Sequence, residues 1–237
     1  MLKDIKLNNI FLIDIETVPQ YENFDNLPTH FKTLWEQKSQ HQRTSEQSAA
    51  EFYERAGIWA EFGKIVCISI GFFHLEDHQI HLRVRSFAAH DEKFLLSQFI
   101  ELLAHQSPNL QLCAHNGKEF DFPYLCRRML INGLQIPHIL QLSGKKPWEI
   151  NHLDTLELWK FGDHKHFTSL NLLAAIFDLP TPKNDLDGSK VKQVYYEEQN
   201  LNRIARYCES DVITLAQVLL RFKGLPIIPP ENITLVE

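Results

Sequence analysis

Apolar residues recur along this chain with two different spacings, and the first of them predicts β-strands. Alternating or continuous apolar runs predict strands at Ile10–Thr17, Ile65–Phe73 and Ile80–Ala88. The last two are predicted to form a hairpin through a His74–Gln79 loop, and Asn109–Ala114 is predicted to be a further short strand. The first half of the chain is therefore expected to supply most of a sheet.

The second spacing, with a period near 3.6 residues, predicts helices. The segments that show it are His90–Ala104, Phe122–Leu130, Thr168–Phe177 and Leu201–Phe222. Between them, His152–Leu158 is expected to be a strand or a strand-to-helix junction, and the Pro-rich tail after Leu225 is expected to be extended. This order of strands and helices predicts an α/β fold, a mixed sheet flanked by helices.

A polar stretch at about residues 20–62 separates the first two predicted strands and is rich in Gln, Glu, Ser and His. It contains two expected helices, around Phe31–Gln37 and Ser48–Trp59. Its apolar positions are too few for independent folding. We therefore expect residues 1–237 to form a single domain that carries this stretch as an insertion.

Charge and cysteine usage narrow the classes of function. The formal net charge is −6 and the pI about 6.1, so a polyanionic partner would have to be held by a local patch or by bound cations. The four cysteines form no CxxC pair, which favours buried, reduced thiols over a zinc site. No apolar run is long enough to cross a membrane, and a cytoplasmic protein is expected.

Two acidic residues occur in the first predicted strand. Because side chains alternate across a strand, Asp14 and Glu16 share one face, while Ile13 and Ile15 share the other. Two adjacent carboxylates on an otherwise apolar strand repel each other and lose hydration, and bound cations would relieve both effects. The alternative is that the strand ends here and both acids face water.

Two later segments carry further acids. Asp121 follows an Asn116-Gly117 turn at a predicted helix start, where it could simply cap the helix. Tyr207 and Asp211 are four residues apart, hence on one face of the last predicted helix, where they could be ordinary surface residues.

Taken together and in this order, the three segments resemble the exonuclease motifs of the DEDD superfamily, in its tyrosine branch. The second segment reads Asn116-Gly117-x-x-Phe120-Asp121-x-Pro123-Tyr124-Leu125 and is similar to the proofreading exonuclease domain of family B DNA polymerases. The chain most resembles the predicted stand-alone bacterial exonucleases related to that domain, from about Ile10 to Phe222. The histidine branch is disfavoured, because the position where it has His is Arg206 here.

The resemblance implies a ribonuclease H-like fold of the DnaQ-like exonuclease superfamily and a set of catalytic residues. These are Asp14, Glu16, Asp121, Tyr207 and Asp211. By resemblance, the four acids hold two divalent cations, Mg²⁺ or Mn²⁺, and Tyr207 orients the attacking water. Substrate contacts are expected from Thr17, Asn116 and Phe120, although Phe120 could equally be buried under its helix.

The implied function is hydrolysis of phosphodiester bonds from a 3′ end, releasing nucleoside monophosphates from single-stranded DNA. An RNA-processing exonuclease of the same superfamily is the nearest alternative, since no residue can be assigned to sensing a 2′-hydroxyl. A non-catalytic scaffold that binds nucleic acid is the alternative from a different class. A proofreading-like enzyme of this kind is expected to work alone or to serve a polymerase or repair partner in trans.

Other polar residues receive lesser roles. Asp154 is expected to cap a helix or to support the site from behind. The pairs Arg127-Arg128 and Lys145-Lys146 are expected to be solvated surface, with phosphate binding as the alternative. The cluster His164-Lys165-His166 is expected to face water or nucleic acid rather than to hold a metal.

Overall fold

A computed structural model describes residues 2–163, 167–180 and 186–236, so the His164–His166 cluster lies outside the described residues. Its centre is a six-stranded mixed sheet with the strand order β5-β4-β1-β2-β3-β6. The strands are β1 Ile10–Pro19, β2 Gly63–Glu76, β3 Gln79–Ala88, β4 Gln111–Ala114, β5 Leu153–Asp154 and β6 Ile233–Val236. The predicted α/β class with a mixed sheet is confirmed.

Strand β1 lies inside the sheet because it has a partner on each side. It pairs antiparallel with β2 and parallel with β4. The antiparallel β2–β3 hairpin extends the sheet on one side, and β5 extends it beyond β4 on the other. The acids of β1 are therefore carried by an interior strand of the sheet.

Helices cover both faces of this sheet. They are α1 Thr29–Ser39, α2 Ala49–Phe52, α3 Glu92–Ala104, α4 Asp121–Ile131, α5 Thr155–Lys160, α6 Leu170–Ile176, α7 Val191–Tyr196 and α8 Leu201–Phe222. The predicted helix at Leu201–Phe222 is confirmed at both ends, and the predicted junction at His152–Leu158 is a two-residue strand followed by α5. No helix in the described ranges has the length and apolarity needed to cross a membrane.

The alternation of side chains along β1 divides the core into two layers. Phe11, Ile13 and Ile15 pack with α3 and α4 on one face. Ile10 and Leu12 pack with α8 on the other face. Since residues two apart share a face, Asp14 and Glu16 continue the row that faces α8. The predicted separation of the two acids from the isoleucines is confirmed.

The predicted hairpin exists, but the predicted His74–Gln79 loop is wrong. The turn consists only of Asp77 and His78, both with positive φ (48° and 63°), as two-residue hairpin turns with the twist of the flanking strands require. His74 and Gln79 belong to the strands. A solvent-exposed strand end carries polar residues, as a loop does, so the sequence pattern cannot distinguish them. The pairing register of β2 and β3 shows that these residues belong to the strands.

The tail after Leu225 was expected only to be extended, whereas its last part is a strand. Strand β6 pairs parallel with β3, from Leu82 opposite Ile233 to Arg85 opposite Val236. The strand itself is largely exposed, so its sequence shows little of the apolar signal on which strand prediction depends.

The insertion between β1 and β2 has a small aromatic core of its own. The buried members are Leu27, Trp35, Ala49, Phe52, Tyr53, Ala56 and Phe62. The segment is tied to the main core at Gly57, whose carbonyl accepts hydrogen bonds from Tyr124 Oη at 2.7 Å and Thr17 Oγ1 at 2.9 Å. Both predicted helices are present, the second as α2 followed by a 3₁₀ turn at Tyr53–Ile58. The assignment of one domain stays a prediction.

A buried ion pair joins α3 to α4 and corrects one expectation. Arg128, predicted to be solvated surface, is only 3% exposed and donates to both carboxylate oxygens of Glu92, at 2.8 and 2.5 Å. The guanidinium also donates to the Ala60 carbonyl at 2.8 Å, and Glu92 accepts from the Ile65 backbone at 2.7 Å. Arg128 therefore connects α4, the insertion and β2 rather than binding phosphate.

Candidate active site

Two acids from β1 form the base of the candidate site. Glu16 is 7% exposed, and Asp14 is partly buried. The register of the sheet shifts between Glu16 and Thr17, which is a β-bulge against β2. Bulges bend a strand and redirect its side chains, and here the bend begins immediately after the two acids.

Asp121 is brought to the same place by the turn after β4. Asn116 adopts a left-handed conformation (φ 63°), which Asn tolerates, and the chain reverses there before α4 begins at Asp121. Asp121 is the first residue of the helix rather than its cap, and the capping position is Phe120. Its carboxylate, 4% exposed, accepts a hydrogen bond from the Ile15 backbone, so it lies against the strand that carries the other acids.

Helix α8 contributes the fourth acid and the tyrosine. Tyr207 and Asp211 are one turn apart, and their side chains interact. The helix lies close to the sheet because β2 has Gly71 at the crossing, where a Cβ would come within 2.7 Å of Val212 Cγ1. The absence of a side chain at Gly71 thus determines how closely α8, and with it Asp211, approaches the sheet.

Electrostatics shows that the four carboxylates occupy one neighbourhood, here called the acid cluster: Asp14, Glu16, Asp121 and Asp211. Burial, together with the negative charges of Asp121 and Asp211, raises the pKa of Asp14 well above its ordinary value. Burial and the charges of Asp14 and Asp211 do the same to the pKa of Glu16.

The two remaining acids of the cluster are perturbed in the same direction. Burial raises the pKa of Asp121 to about 7. It raises the pKa of Asp211 to about 6, although the hydrogen bond from Tyr207 acts in the opposite direction. In the absence of a cation, full ionisation of the acid cluster is therefore costly at neutral pH.

No salt bridge in the described ranges joins a Lys or Arg to the acid cluster. Asp14 and Glu16 offer oxygen atoms that, with the Cys208 sulfur, lie within 4.8 Å of one another. Hard oxygen donors in this number suit Mg²⁺ or Mn²⁺. The donor set therefore fits divalent cations.

The three predicted substrate residues are partly buried, and two of them adjoin the acid cluster in sequence, Thr17 after Glu16 and Phe120 before Asp121. Thr17 Oγ1 is engaged with the Gly57 carbonyl, so only its backbone is free to meet a ligand in the predicted way. The Phe120 ring packs beside Tyr124, with ring centroids 5.3 Å apart, at the margin of the core. Their contact with a nucleotide stays a prediction.

Asp154 holds the turn that carries Asn116. Its carboxylate accepts from the backbone of Asn116 at 2.9 Å and of Lys118 at 3.1 Å. It also caps α5 by accepting from the Leu156 backbone at 2.9 Å, so the expected capping role is confirmed. His115, bonded through both ring nitrogens, fixes the other side of the turn.

Sequence reasoning missed a buried polar chain behind Asp14. The thiol of Cys208 lies 3.2 Å from Asp14 Oδ2, and burial and neighbouring Cys67 raise its pKa, which keeps it protonated and able to donate. Cys67 contacts Ser69 at 3.8 Å. All four cysteines are free, as expected, but only long-range packing shows that one of them touches the site.

The chain continues to a residue of α8. Ser69 Oγ lies 2.7 Å from Ser86 Oγ, and Ser86 donates to Glu209 at 2.8 Å. Glu209 therefore supports β2 and β3 instead of joining the acid cluster, although it lies between Tyr207 and Asp211 in sequence. Helical periodicity is the signal that separates it from them.

Comparison with known proteins gives a family match over most of the chain. Residues 58–226 match a family described as "Predicted 3'-5' exonuclease related to the exonuclease domain of PolB". That range includes Asp121, Tyr207 and Asp211, whereas β1 with Asp14 and Glu16 precedes it.

Curated relatives include the DNA polymerases of Pyrococcus glycovorans and Thermococcus gorgonarius, which are 22% and 25% identical over 133 residues. The match covers 51% of this chain but only 17% of each polymerase.

Among solved structures, the family B DNA polymerase of the hyperthermophilic archaeon Pyrobaculum calidifontis has a similar fold, with a TM-score of 0.50 at 15% identity. The similarity covers 89% of this chain and 24% of that one. It confirms the predicted ribonuclease H-like fold. With the family match over more than half of its length, the chain belongs to the family of predicted 3′–5′ exonucleases related to the exonuclease domain of family B DNA polymerases.

Proposed function

We propose that this chain is a metal-dependent 3′–5′ exonuclease that releases nucleoside monophosphates from the 3′ end of single-stranded DNA. The observation that carries the proposal is the acid cluster. Three segments distant in sequence place Asp121 and Asp211 close enough to raise the pKa of both Asp14 and Glu16, and no cationic side chain in the described ranges is salt-bridged to the four acids. A protein gains nothing in stability from such an arrangement, so a ligand-binding function is the natural explanation.

In this proposal Asp14, Glu16, Asp121 and Asp211 hold two Mg²⁺ or Mn²⁺ ions. When bound, such ions supply hydroxide at neutral pH and neutralise charge that develops on the transferred phosphate. The resemblance to the family makes Asp14 the central ligand, and the negative charges of Asp121 and Asp211 raise the pKa of Asp14 as they raise that of Glu16. The positive charge of the bound ions would also allow a chain of net charge −6 to bind a polyanion.

Tyr207 is proposed to orient the attacking water. Burial and the charge of Asp211 raise the pKa of Tyr207 well above its ordinary value, so its hydroxyl stays protonated at neutral pH. A protonated phenol can donate and accept hydrogen bonds but cannot be the general base. Its role is therefore to position a water molecule, while Thr17, Asn116 and Phe120 contact the terminal nucleotide.

DNA is preferred over RNA in the proposal because the curated relatives are DNA polymerases. This chain matches a region that makes up 17% of those polymerases, and the proposal includes a polymerase or repair partner that it serves in trans. Degradation of matched DNA and RNA oligonucleotides with a 5′ label tests the preference. Faster shortening of the RNA would support the RNA-processing alternative instead.

Site-directed variants test the chemistry. Asp14→Asn and Asp211→Asn should each abolish Mn²⁺-dependent shortening of a 5′-labelled oligonucleotide while leaving the circular dichroism spectrum unchanged. Glu101→Gln is the matched control, because Glu101 is an exposed carboxylate on α3, across the sheet from α8. Full activity in either Asp variant would refute the proposed site.

Calorimetry distinguishes an enzyme from a non-catalytic scaffold. We expect wild-type protein to release or absorb heat on titration with Mn²⁺ and the Asp14→Asn variant to show only heat of dilution. Absence of Mn²⁺ binding in the wild type, with retained binding of single-stranded DNA, would favour the scaffold.

A further inference from the structure

A second group of metal-binding side chains lies at the tip of the β2–β3 hairpin, far from the acid cluster. It consists of His74, Glu76 and His81, here called the hairpin cluster. Each residue offers one ligand atom, and these atoms all lie within 4.8 Å of one another. The His74 and His81 ring centroids are 5.2 Å apart, and His74 Nε2 is 3.6 Å from Glu76 Oε2.

Strand register produces this arrangement. His74 and His81 are directly opposite each other in the antiparallel pair, so their side chains share one face of the hairpin. Glu76 is two residues after His74 and therefore lies on the same face. The two-residue turn at Asp77-His78 fixes the register, so the three ligands are held by backbone pairing rather than by a mobile loop.

Two histidines, His115 and His152, are bonded through both ring nitrogens. His115 contacts Thr155 Oγ1 at 2.9 Å and the Thr168 carbonyl at 2.8 Å. His152 contacts the Leu112 backbone N–H at 3.2 Å and the Ile139 carbonyl at 2.9 Å. Such rings have no lone pair left for a metal, and their role is structural.

His74 differs from these residues. Within the part of the chain that the structure describes, its Nδ1 is buried and has no hydrogen-bond partner. Its Nε2, the nitrogen that faces Glu76, lies 3.6 Å from Glu76 Oε2, which is longer than a hydrogen bond. A buried imidazole nitrogen without a partner is unfavourable, and the ring remains available for coordination.

We propose that the hairpin cluster binds a divalent transition metal such as Zn²⁺, with three protein ligands and one position left for water. Imidazole suits Zn²⁺, Ni²⁺ or Cu²⁺ better than Mg²⁺, so this site would differ in selectivity from the oxygen-rich acid cluster. Bonds of 2.0–2.1 Å in a tetrahedron place ligand atoms ~3.4 Å apart. The ligand atoms now lie within 4.8 Å of one another, so metal binding requires them to move closer, and the Glu76 side chain, 62% exposed, has room to move.

The two sites are separate. Ser69 pairs with Asp14, and His74 is five residues further along β2, roughly 17 Å away at the usual rise of a strand. An odd number of residues also puts His74 on the opposite face of the sheet, next to Phe72. The metal would therefore fasten the ends of β2 and β3 together instead of taking part in hydrolysis.

The test is Zn²⁺ binding by the full chain in excess Mg²⁺, which keeps the acid cluster occupied by a hard ion. We expect calorimetry to show one Zn²⁺ bound to the wild type and a melting temperature raised by Zn²⁺. His81→Ala should bind at least about tenfold more weakly and lose the thermal shift. His78→Ala is the matched control, since His78 is in the same hairpin but outside the cluster, and it should behave as the wild type.

Three outcomes would overturn the proposal. They are no Zn²⁺ binding by the wild type under these conditions, equal binding by His81→Ala, and binding lost in Asp14→Asn but kept in His81→Ala. The last result would place the ion in the acid cluster. Circular dichroism of each metal-free variant, with Glu76→Gln as a second and milder ligand change, shows whether a loss of binding comes from a folded protein.

Discussion

Replacing Asp121 by Asn should stabilise the metal-free protein at alkaline pH, although it should destroy the activity. Burial raises the pKa of Asp121 from an ordinary value of 3.8 to about 7. A group with a raised pKa in the folded state contributes stability that is fully present below pH 3.8 and is lost as the pH rises through about 7. Each pH unit between these values corresponds to about 1.4 kcal/mol, which makes ~4 kcal/mol in all.

An Asn side chain is neutral at every pH and has nearly the same shape. We expect it to recover about 2–4 kcal/mol at pH 8, because it removes the buried charge but accepts the Ile15 hydrogen bond less strongly. In a chain of 237 residues this corresponds to a rise in melting temperature on the order of 10 °C. At pH 5 wild-type Asp121 is mostly protonated in the folded state, so the difference should shrink to about 1–2 kcal/mol.

The assay is thermal and urea unfolding in EDTA at several values between pH 5 and pH 8, for wild type, Asp121→Asn and the exposed-carboxylate control Glu101→Gln. Added Mn²⁺ should reverse the order by stabilising the wild type more than Asp121→Asn. A metal-free Asp121→Asn protein that is less stable than the wild type at pH 8, or a difference that does not change with pH, would refute this reasoning. The burial and charge attributed to the acid cluster would then be wrong.

Three further predictions concern activity and packing. Tyr207→Phe should lower the turnover number roughly 10²-fold with Mn²⁺ affinity unchanged by calorimetry, and loss of Mn²⁺ binding would contradict the assignment of a water-orienting role. Glu92→Ala should reduce the free energy of unfolding in urea by about 3–5 kcal/mol, since it leaves the Arg128 charge buried and unpaired; unchanged stability would mean that the pair contributes nothing. Gly71→Ala should cost about 1–3 kcal/mol through overlap with Val212 on α8, and a neutral result in thermal unfolding would show that the helix moves away freely.

Local patterns in the sequence were sufficient for most of the secondary structure. Helix α8 follows from an uninterrupted apolar stripe, and the ends of β1 and β3 were predicted to within two residues. The errors lie where the local signal is weak. Strand β6 is mostly exposed, and the polar end of β2 at His74 was interpreted as a loop.

Only part of the candidate site could be predicted from local sequence patterns. Side-chain alternation predicted that Asp14 and Glu16 share a face, and helical spacing predicted that Tyr207 and Asp211 do. That Asp121 joins them rested on a family resemblance, since no periodicity relates positions that far apart. Arg128 shows most clearly what local sequence cannot predict. An arginine is expected at the solvent-exposed surface, but the Glu92 carboxylate on α3 pairs with Arg128 and makes its burial possible.

The sequence by itself determined which segments are strands and helices, which face of each is apolar, and which acids share a face, because these properties depend on neighbours within one or two turns or along one strand. Only the tertiary structure decided what those faces meet. The crossing of α8 at Gly71, the thiol of Cys208 against Asp14, and the pairing of His74 with His81 all depend on packing and register between distant segments. Such contacts are determined by the free-energy minimum of the whole chain. Each residue contributes only a small part of that free energy, so a contact between distant segments cannot be predicted from either residue alone.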